Sequence, residues 1–419
     1  MSRIHSALAI SVSLFTATAV ASPQHFTTAR ALGMAGTGVA VAHPATANSA
    51  NPAMLAARHH EKADNFGLII PSINARVADE EDVVDQIDRI QDTIDLAEQR
   101  ANNLDGPGTR AAIGELREQL QKVDRDTARI DVGAGLSLAF PSQTRLAVGV
   151  YTNASIRATV RSEYDPADDA LLEGLQQSSD AALITYFQTN DLEDELLSRG
   201  RVLASAIGEI GLALGHTFEL PNHQPLQVGL TTKYQQLRTF QYTERVGAFD
   251  DDDYDRFETR KSALNFDLGA AYRFGDNQQW NLGAVVRNLI PVKLDSAATD
   301  ITEPTHTLRV GPHLVTGIAL LGDYYTLTAE LDLTKKKAFG YEDETQWLAL
   351  GAEFDAFRYA QLRGGIRHNL ASNSDNDGIE ESTQLTVGLG LSIFGARLDL
   401  GALFSDADVG GAIELGAAF

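Results

Sequence analysis

The links between the strand-like segments of this chain alternate in length, long and then short, and few folds produce that parity. The segments themselves alternate with a period of two. Leu385, Val387, Leu389, Leu391 and Ile393 interleave with Gln384, Thr386, Gly388, Gly390 and Ser392, as a pleated strand with two chemically different faces requires. The same pattern runs through 264–274, 325–334 and 396–404. In the last ten residues Gly411, Ile413, Leu415, Ala417 and Phe419 share one face, and Gly410, Ala412, Glu414, Gly416 and Ala418 the other. A single such strand fits either a soluble sheet or a membrane barrel with lipid outside and a polar lumen inside. The links separate the two. Long ones occupy 79–130, 163–199, 246–255, 291–305, 335–344, 370–382 and 405–409; short ones lie between them at 141–143, 220–225, 275–278, 321–323, 355–358 and around Gly395. A sandwich has no reason for this order, whereas a bacterial outer-membrane barrel has short turns at one end and long loops at the other. The expected fold is all-β: a transmembrane antiparallel barrel of about fourteen strands, an even number as such barrels use, closed so that no edge is left exposed.

Export is consistent with the N-terminus. Arg3 precedes an apolar run from Ala7 to Val20 and a small-residue cleavage site at Ala19-Val20-Ala21, so residues 1–21 read as a signal peptide. With a net charge of -23 the chain repels phosphate backbones, which excludes nucleic acid as a partner of its surface. Having no cysteine, it has no thiol nucleophile, disulfide or thiolate zinc site.

Residues 22–63 precede the first strand. Gly33, Gly36 and Gly38 punctuate small residues there, and Asn51, Pro52 and Ala53 close the segment, with Pro52 holding Asn51 extended. The segment is either a disordered leader or a plug within the lumen. The stretch ARALGMAGTGVAVAHPATANSANPAMLA, residues 29–56, resembles the N-terminal hatch of the FadL family of outer-membrane transporters of hydrophobic compounds. Together with the strand at 64–79 and the acidic helical stretch after it, the chain is most similar to the group called conjugal transfer protein TraF, of the plasmid-transfer-operon type; the missing cysteines separate it from the thioredoxin-like proteins of the same name. The resemblance implies a hatch, a fourteen-stranded barrel at 64–419 in the Gram-negative outer membrane, and extracellular helical loops that help gather a hydrophobic small molecule. Its surroundings would be outer-membrane lipid and lipopolysaccharide, and the reading is a monomer without a cofactor. Phe419 matches the terminal aromatic read by the outer-membrane assembly machinery, although Ala417 and Glu414 depart from the fuller signal.

After Asp79 the apolar period lengthens to that of a helix: Val83, Ile87, Ile90, Ile94, Ala97, Ala101 and Leu104 form one seam. A breaker at 102–108, containing Gly106-Pro107-Gly108, precedes a second seam of Ile113, Leu116, Leu120 and Val123. The insert 79–130 is expected to be an extracellular helical hairpin, either packed on itself or offered to a partner. The loop 163–199 reads as partly helical. Strands 144–162, 200–219, 226–244 and 256–274 exceed the about 9 to 11 residues that cross a bilayer, so the wall is expected to project beyond the lipid.

The lumen-facing series carries Lys233, Asp267, Arg273, Arg287, Glu330, Asp332, Glu353, Arg363, Arg367, Arg397, Asp399 and Glu414. Both signs occur on neighbouring strands, which fits a ladder of internal ion pairs or a path for a polar solute. Asp250, Asp251, Asp252 and Asp253 are weak candidates for divalent-cation ligands, and Asn373, Asp375 and Asp377 echo half of an EF-hand loop that lacks its closing glutamate. His59-His60 has no third ligand nearby. No nucleophile elbow, zinc-binding helix or phosphate loop is present, so no enzyme is expected. Two functions remain open: a conduit gated by the hatch at 33–53, or a surface or assembly protein of a plasmid-transfer system whose helical arm meets another envelope component.

Overall fold

The computed structural model describes residues 27–57, 66–79, 82–142, 145–220, 224–245, 257–298, 304–356, 359–371, 379 and 381–418. The leader, His59-His60, the four aspartates at 250–253, the loop at 373–378 and Phe419 lie outside these residues.

Three short helical pieces come first: α1 (Ala29–Gly33), α2 (Pro44–Ala50) and a 3-10 turn (Pro52–Ala56). Strand β1 (Phe66–Asp79) leads to helices α3 (Val83–Asn102) and α4 (Gly106–Lys122), then to β2 (Thr127–Phe140) and β3 (Ala147–Glu163). Helices α5 (Pro166–Gln177), α6 (Asp180–Thr189) and α7 (Leu192–Glu195) precede β4 (Arg199–Glu219), β5 (Pro225–Arg245), β6 (Glu258–Phe274) and β7 (Trp280–Arg287). A small hairpin follows, β8 (Val292–Asp295) and β9 (Thr307–Val310). The chain then runs through β10 (His313–Leu321), β11 (Tyr325–Asp332), β12 (Trp347–Ala356), β13 (Ala360–Asn369), β14 (Thr383–Ile393), β15 (Ala396–Phe404) and β16 (Asp408–Ala418).

All but β8 and β9 form one closed antiparallel barrel of fourteen strands, in which β1 pairs with both β2 and β16. That is the architecture the link parity predicts. The alternation is inverted relative to a soluble protein: Glu209 on β4 is 6% exposed and its neighbour Ile210 61%, and on β2 Arg129 and Asp131 are buried while Ile130 and Val132 face out. Such a surface is stable only against an apolar solvent. Exposed aromatics, among them Phe140, Phe218, Tyr324, Tyr325, Tyr359 and Phe394, cluster beside the short turns, where a membrane-interface belt sits. At the opposite end β4 and β5, of 21 residues each, extend to roughly 70 Å at about 3.3 Å per residue. This end, which carries the long links, is the helical rim.

Three expectations need correction. The helix breaks at 103–105, inside the expected 102–108, but Gly106-Pro107-Gly108 is not the breaker and instead begins α4: Asp105 caps it by accepting the Gly108 N–H at 3.0 Å, and proline in the first turn forfeits no helical hydrogen bond. Leu104 is not part of the seam; it turns the corner at φ 62° and is exposed. The link at 291–305 is not a plain loop, since its first residues pair with 307–310 as β8 and β9.

On the helical rim the two seams face each other and the helices of the next loop. Ile90, Ile94, Ile113, Leu116 and Leu120 are buried together with Leu172, Leu183, Leu192 and Leu196, and Arg117 ties α4 to Asp169 at 2.6 Å and Glu173 at 3.1 Å of α5. The two seams are thus buried against each other and against α5 to α7. Where α7 meets α3, partial burial and the neighbouring carboxylates Asp191, Glu193 and Asp95 raise the pKa of Glu98; burial with Asp191, Asp95 and Asp194 raises that of Glu193. Groups whose folded pKa is raised contribute stability below the unfolded value and lose it as pH rises through the folded one. Acidification from neutrality into the carboxylate range is therefore expected to raise the amide protection factors of 192–195, taken relative to the unfolded chain at the same pH, by a small factor, because both groups are largely solvated. Hydrogen exchange measures this, and Glu98→Gln should flatten the dependence.

Candidate functional site

The lumen is filled by residues 27–57, and the wall is shaped to receive them. Gly215 on β4, Gly229 on β5 and Gly269 on β6 lie directly opposite one another in register, as do Gly351 with Gly365 and Gly388 with Gly401. Each points inward at main chain of the N-terminal segment. A methyl group placed on Gly229 would lie 2.3 Å from Ala53 N, one on Gly269 2.0 Å from Asn51 Oδ1, and one on Gly388 3.0 Å from Gly33 Cα. The rows therefore form flat seats: the 3-10 turn rests on the first, Met34 and Ala35 on the second, and α1 on the third. Close approach of two backbones is a use to which only glycine is suited.

Polar groups fix the segment over these seats. Glu330 accepts the N–H groups of Gly38 and Val39 at 2.8 and 2.6 Å, with Ala40 at 3.4 Å. Asn51 donates to Val39 O and Ala270 O at 2.8 and 3.1 Å, and its side-chain oxygen accepts the Ala53 N–H. Arg287 donates to Ala50 O at 2.8 Å, and Arg30 makes a two-pronged contact with Glu353 of β12 at 3.0 and 2.8 Å. Gly36 occupies the left-handed region at φ 85°, where it turns the chain beside Arg367.

Instead of one continuous ladder, the buried charges form separate groups. Arg30, Glu353, Arg363, Asp399 and Arg397 make the first, with Arg363 at 2.5 Å from Glu353 and 2.6 Å from Asp399. Lys233 lies between Glu209 and Asp267, 3.3 and 3.1 Å away. Asp332 meets His313 and Lys336 at 3.2 and 3.4 Å. Arg367 donates to Gln384 and covers the Trp347 ring at 4.4 Å, while Arg273 is half-buried near the short-turn end of β6. Glu414 departs from the ladder idea, because its register neighbours are Ser72 and the like-charged Asp399.

The densest group went unread in the sequence. Near the helical rim Arg129 contacts Glu381 and Asp408 at 2.5 and 2.6 Å, Arg76 contacts Asp408 at 2.6 Å, and Arg157 contacts Asp131 and Glu342, the latter at 2.9 Å. Glu342 and Glu381 come from the links after β11 and β13, so each of these links sends at least one carboxylate inward to the wall arginines. The signal was there: Arg129 and Asp131 alternate with Ile130 and Val132. Arg30 and the glycine rows were also missed.

Between the N-terminal segment and the inner wall lies a cavity of about 120 Å³ bordered by Arg30, Asn153, Ser155, Ile207, Glu209 and Arg287. Two apolar recesses lie elsewhere. One, of about 340 Å³, runs between α3 and the ends of β2 to β4, lined by Val83, Ile87, Val123, Val160 and Tyr164. The other, of about 680 Å³, opens on the outer wall beside Ile70-Pro71, where β1 is bulged against both neighbours; it is lined by outward Leu136 and Ile210 and by inward Ile69 and Tyr151. Proline has no N–H for the ladder, and a bulge is where a strand tolerates one. Among the described residues no group of three candidate metal ligands occurs.

The sequence profile described as F plasmid transfer operon, TraF, protein matches residues 49–332. The chain belongs to this TraF family. No curated protein matches it. Among solved structures, the deltaS2 mutant of the TodX monoaromatic hydrocarbon channel is similar at a TM-score of 0.51 and 11% identity, covering 94% of this chain and 99% of that one. The P. putida toluene transporter TodX is similar at 0.50 and 10%, covering 95% and 99%. At such identity the likeness extends to the fold alone: the TraF-family barrel has the architecture of these hydrocarbon channels.

Proposed function

We propose that this TraF-family protein is an outer-membrane channel for a small hydrophobic or amphipathic compound, exported by its leader, inserted as a monomer with the helical rim outside, and held shut by residues 27–57. The observation that carries this reading is the set of glycine rows. A barrel needing only rigidity fills its lumen with interlocking side chains; this one receives its N-terminal segment on smooth main-chain seats, so that withdrawal breaks mainly polar ties such as those of Glu330, Arg287 and the Arg30–Glu353 pair. Two apolar recesses support a route for the compound. The groove under α3 gives it a place to gather, and the niche at Ile70-Pro71 gives it a way toward lipid that avoids the buried charges. TodX, described as a toluene transporter, shares the fold and suggests the size of compound.

Proteoliposomes loaded with a toluene-metabolising enzyme test the reading. Wild-type protein is expected to speed toluene entry over empty vesicles, and a variant lacking residues 27–57 to admit small hydrophilic solutes as well. Equal rates with and without the protein would sink it. A second reading, a structural component of a transfer system, draws on the family's description. In that case removing 83–122 should lower mating efficiency while leaving toluene entry intact, and unchanged mating would end it.

A further inference from the structure

We propose that the β8–β9 hairpin is a displaceable lid seated in an apolar binding site of the lumen, the site a small hydrophobic or amphipathic ligand takes when the hairpin lifts; this rests on the channel reading. Inward positions of β4 and β5 are mostly polar: Ser205, Glu209, Lys233, Gln235, Thr239 and Gln241 are all buried. Leu203, Ile207 and Leu237 are the bulky apolar exceptions, and Ile207 and Leu237 face each other across the strand pair. An apolar patch in a charged lumen has to be covered, and here the cover comes from outside the barrel sheet. Val292 and Leu294 of β8, with Leu308 and Val310 of β9, are buried on it together with Phe339.

The cover is weakly held. Among the described residues β8 and β9 have no ladder bonds to the wall and pair only with each other. Strands of four residues on each side make a hairpin that is marginal alone. Its polar ties to the barrel include Thr259 Oγ1 to Asp295 O at 2.8 Å, Lys261 Nζ to Lys293 O at 3.0 Å, and Ser296 Oγ to Gln241 Oε1 at 2.5 Å. Gln241 Nε2 also donates to Pro304 O at 3.3 Å, and the His306 ring meets Phe339 and Tyr341 edge-on; much of the rest is apolar contact, which a ligand of similar size reproduces. Ile207 also borders the cavity above the N-terminal segment, so a ligand on the patch lies one residue-layer from the plug. Glu209 and Arg287 at that cavity offer polar partners to the head of an amphipathic molecule, while its apolar part covers Leu203 and Leu237.

A lid that competes with its ligand lowers apparent affinity by the fraction of time it is closed. The purified full-length protein is titrated with the fluorophore N-phenylnaphthylamine, which brightens on leaving water. Leu308→Ser, which loosens the lid from the apolar side, and Thr259→Ala, which removes one tie and leaves the apolar face intact, are each expected to tighten binding, the former by about tenfold. Ile207→Asn is expected to abolish it, and bound probe to speed amide exchange in 292–295 and 307–310. Gel mobility with and without heating checks that each barrel is folded. Unchanged or weaker binding in both lid variants, or hairpin exchange that ignores the probe, overturns the lid while leaving the channel reading in place. Absence of probe binding in every variant also overturns it. The channel reading falls separately, if toluene entry is not accelerated.

Discussion

Gly229→Val is expected to open the barrel. The added side chain would start 2.3 Å from Ala53 N and 2.3 Å from Pro52 C, both main-chain atoms that cannot rotate away. Something must move, and the two sides are unequally held. Gly229 is flanked in register by Gly215 and Gly269 in strands that pair along most of their length. The 3-10 turn is held by the few hydrogen bonds of Asn51, by one from Thr217 Oγ1 to Ala56 O at 2.9 Å, and by the buried side chains of Ala53, Met54 and Leu55, while the wall strands carry a continuous ladder. The turn therefore yields. Overpacking of a tight contact costs typically about 1–3 kcal/mol, and here it falls on the segment least able to absorb it.

Two measurements follow from that displacement. Ion conductance in planar bilayers should rise from near silence to frequent openings, and amides of 51–57 should lose protection. Gly208→Val on β4 is the control, because a methyl group there meets nothing within 4 Å; it should be silent in both. A Gly229→Val barrel as quiet and as protected as the wild type would mean that the glycine rows are not seats for a movable plug.

The barrel was legible because its signal is local. Two-residue alternation and link length are read a few residues at a time, and an even strand count follows from them. The seats were not legible, because Gly229 looks like any weak position in a strand until Pro52, far away in sequence, is laid upon it. Gly106-Pro107-Gly108 misled for the opposite reason: its composition suggests a break, yet the same residues suit a first helical turn once Asp105 caps it. The hairpin escaped because four-residue strands within a long link carry too little pattern, with only Val292, Leu294, Leu308 and Val310 to mark it. Lys233 and Glu353 were legible as lumen-facing charges from parity alone. Their partners Glu209 and Arg30 were not, since pairing across strands, or between wall and plug, depends on register and on where the plug lies.

Breaking the Arg30–Glu353 contact tests how the plug is latched. Glu353 is bonded by Arg30 from the plug and by Arg363 from the wall, so Glu353→Leu removes the carboxylate from between two buried guanidinium groups. Arg363 keeps Asp399 at 2.6 Å, and Arg30 keeps its donation to Val41 O at 2.6 Å. Removing one partner of a buried pair costs about 3–5 kcal/mol, chiefly because the remaining charge is left in a poor solvent, whereas replacing both with apolar groups is often nearly neutral. Arg30→Leu combined with Glu353→Leu should accordingly cost less than Glu353→Leu alone, a strong departure from additivity that a double-mutant cycle reads directly. Thermal unfolding of the barrel and amide exchange across 29–33 are the two readouts. Both should suffer most in the single Glu353 variant, since expelling Arg30 from its pocket drags α1 off Gly388 and Gly401. Additive losses in the cycle would show that the two residues do not act as a latch, and that the backbone seats alone hold α1 in place.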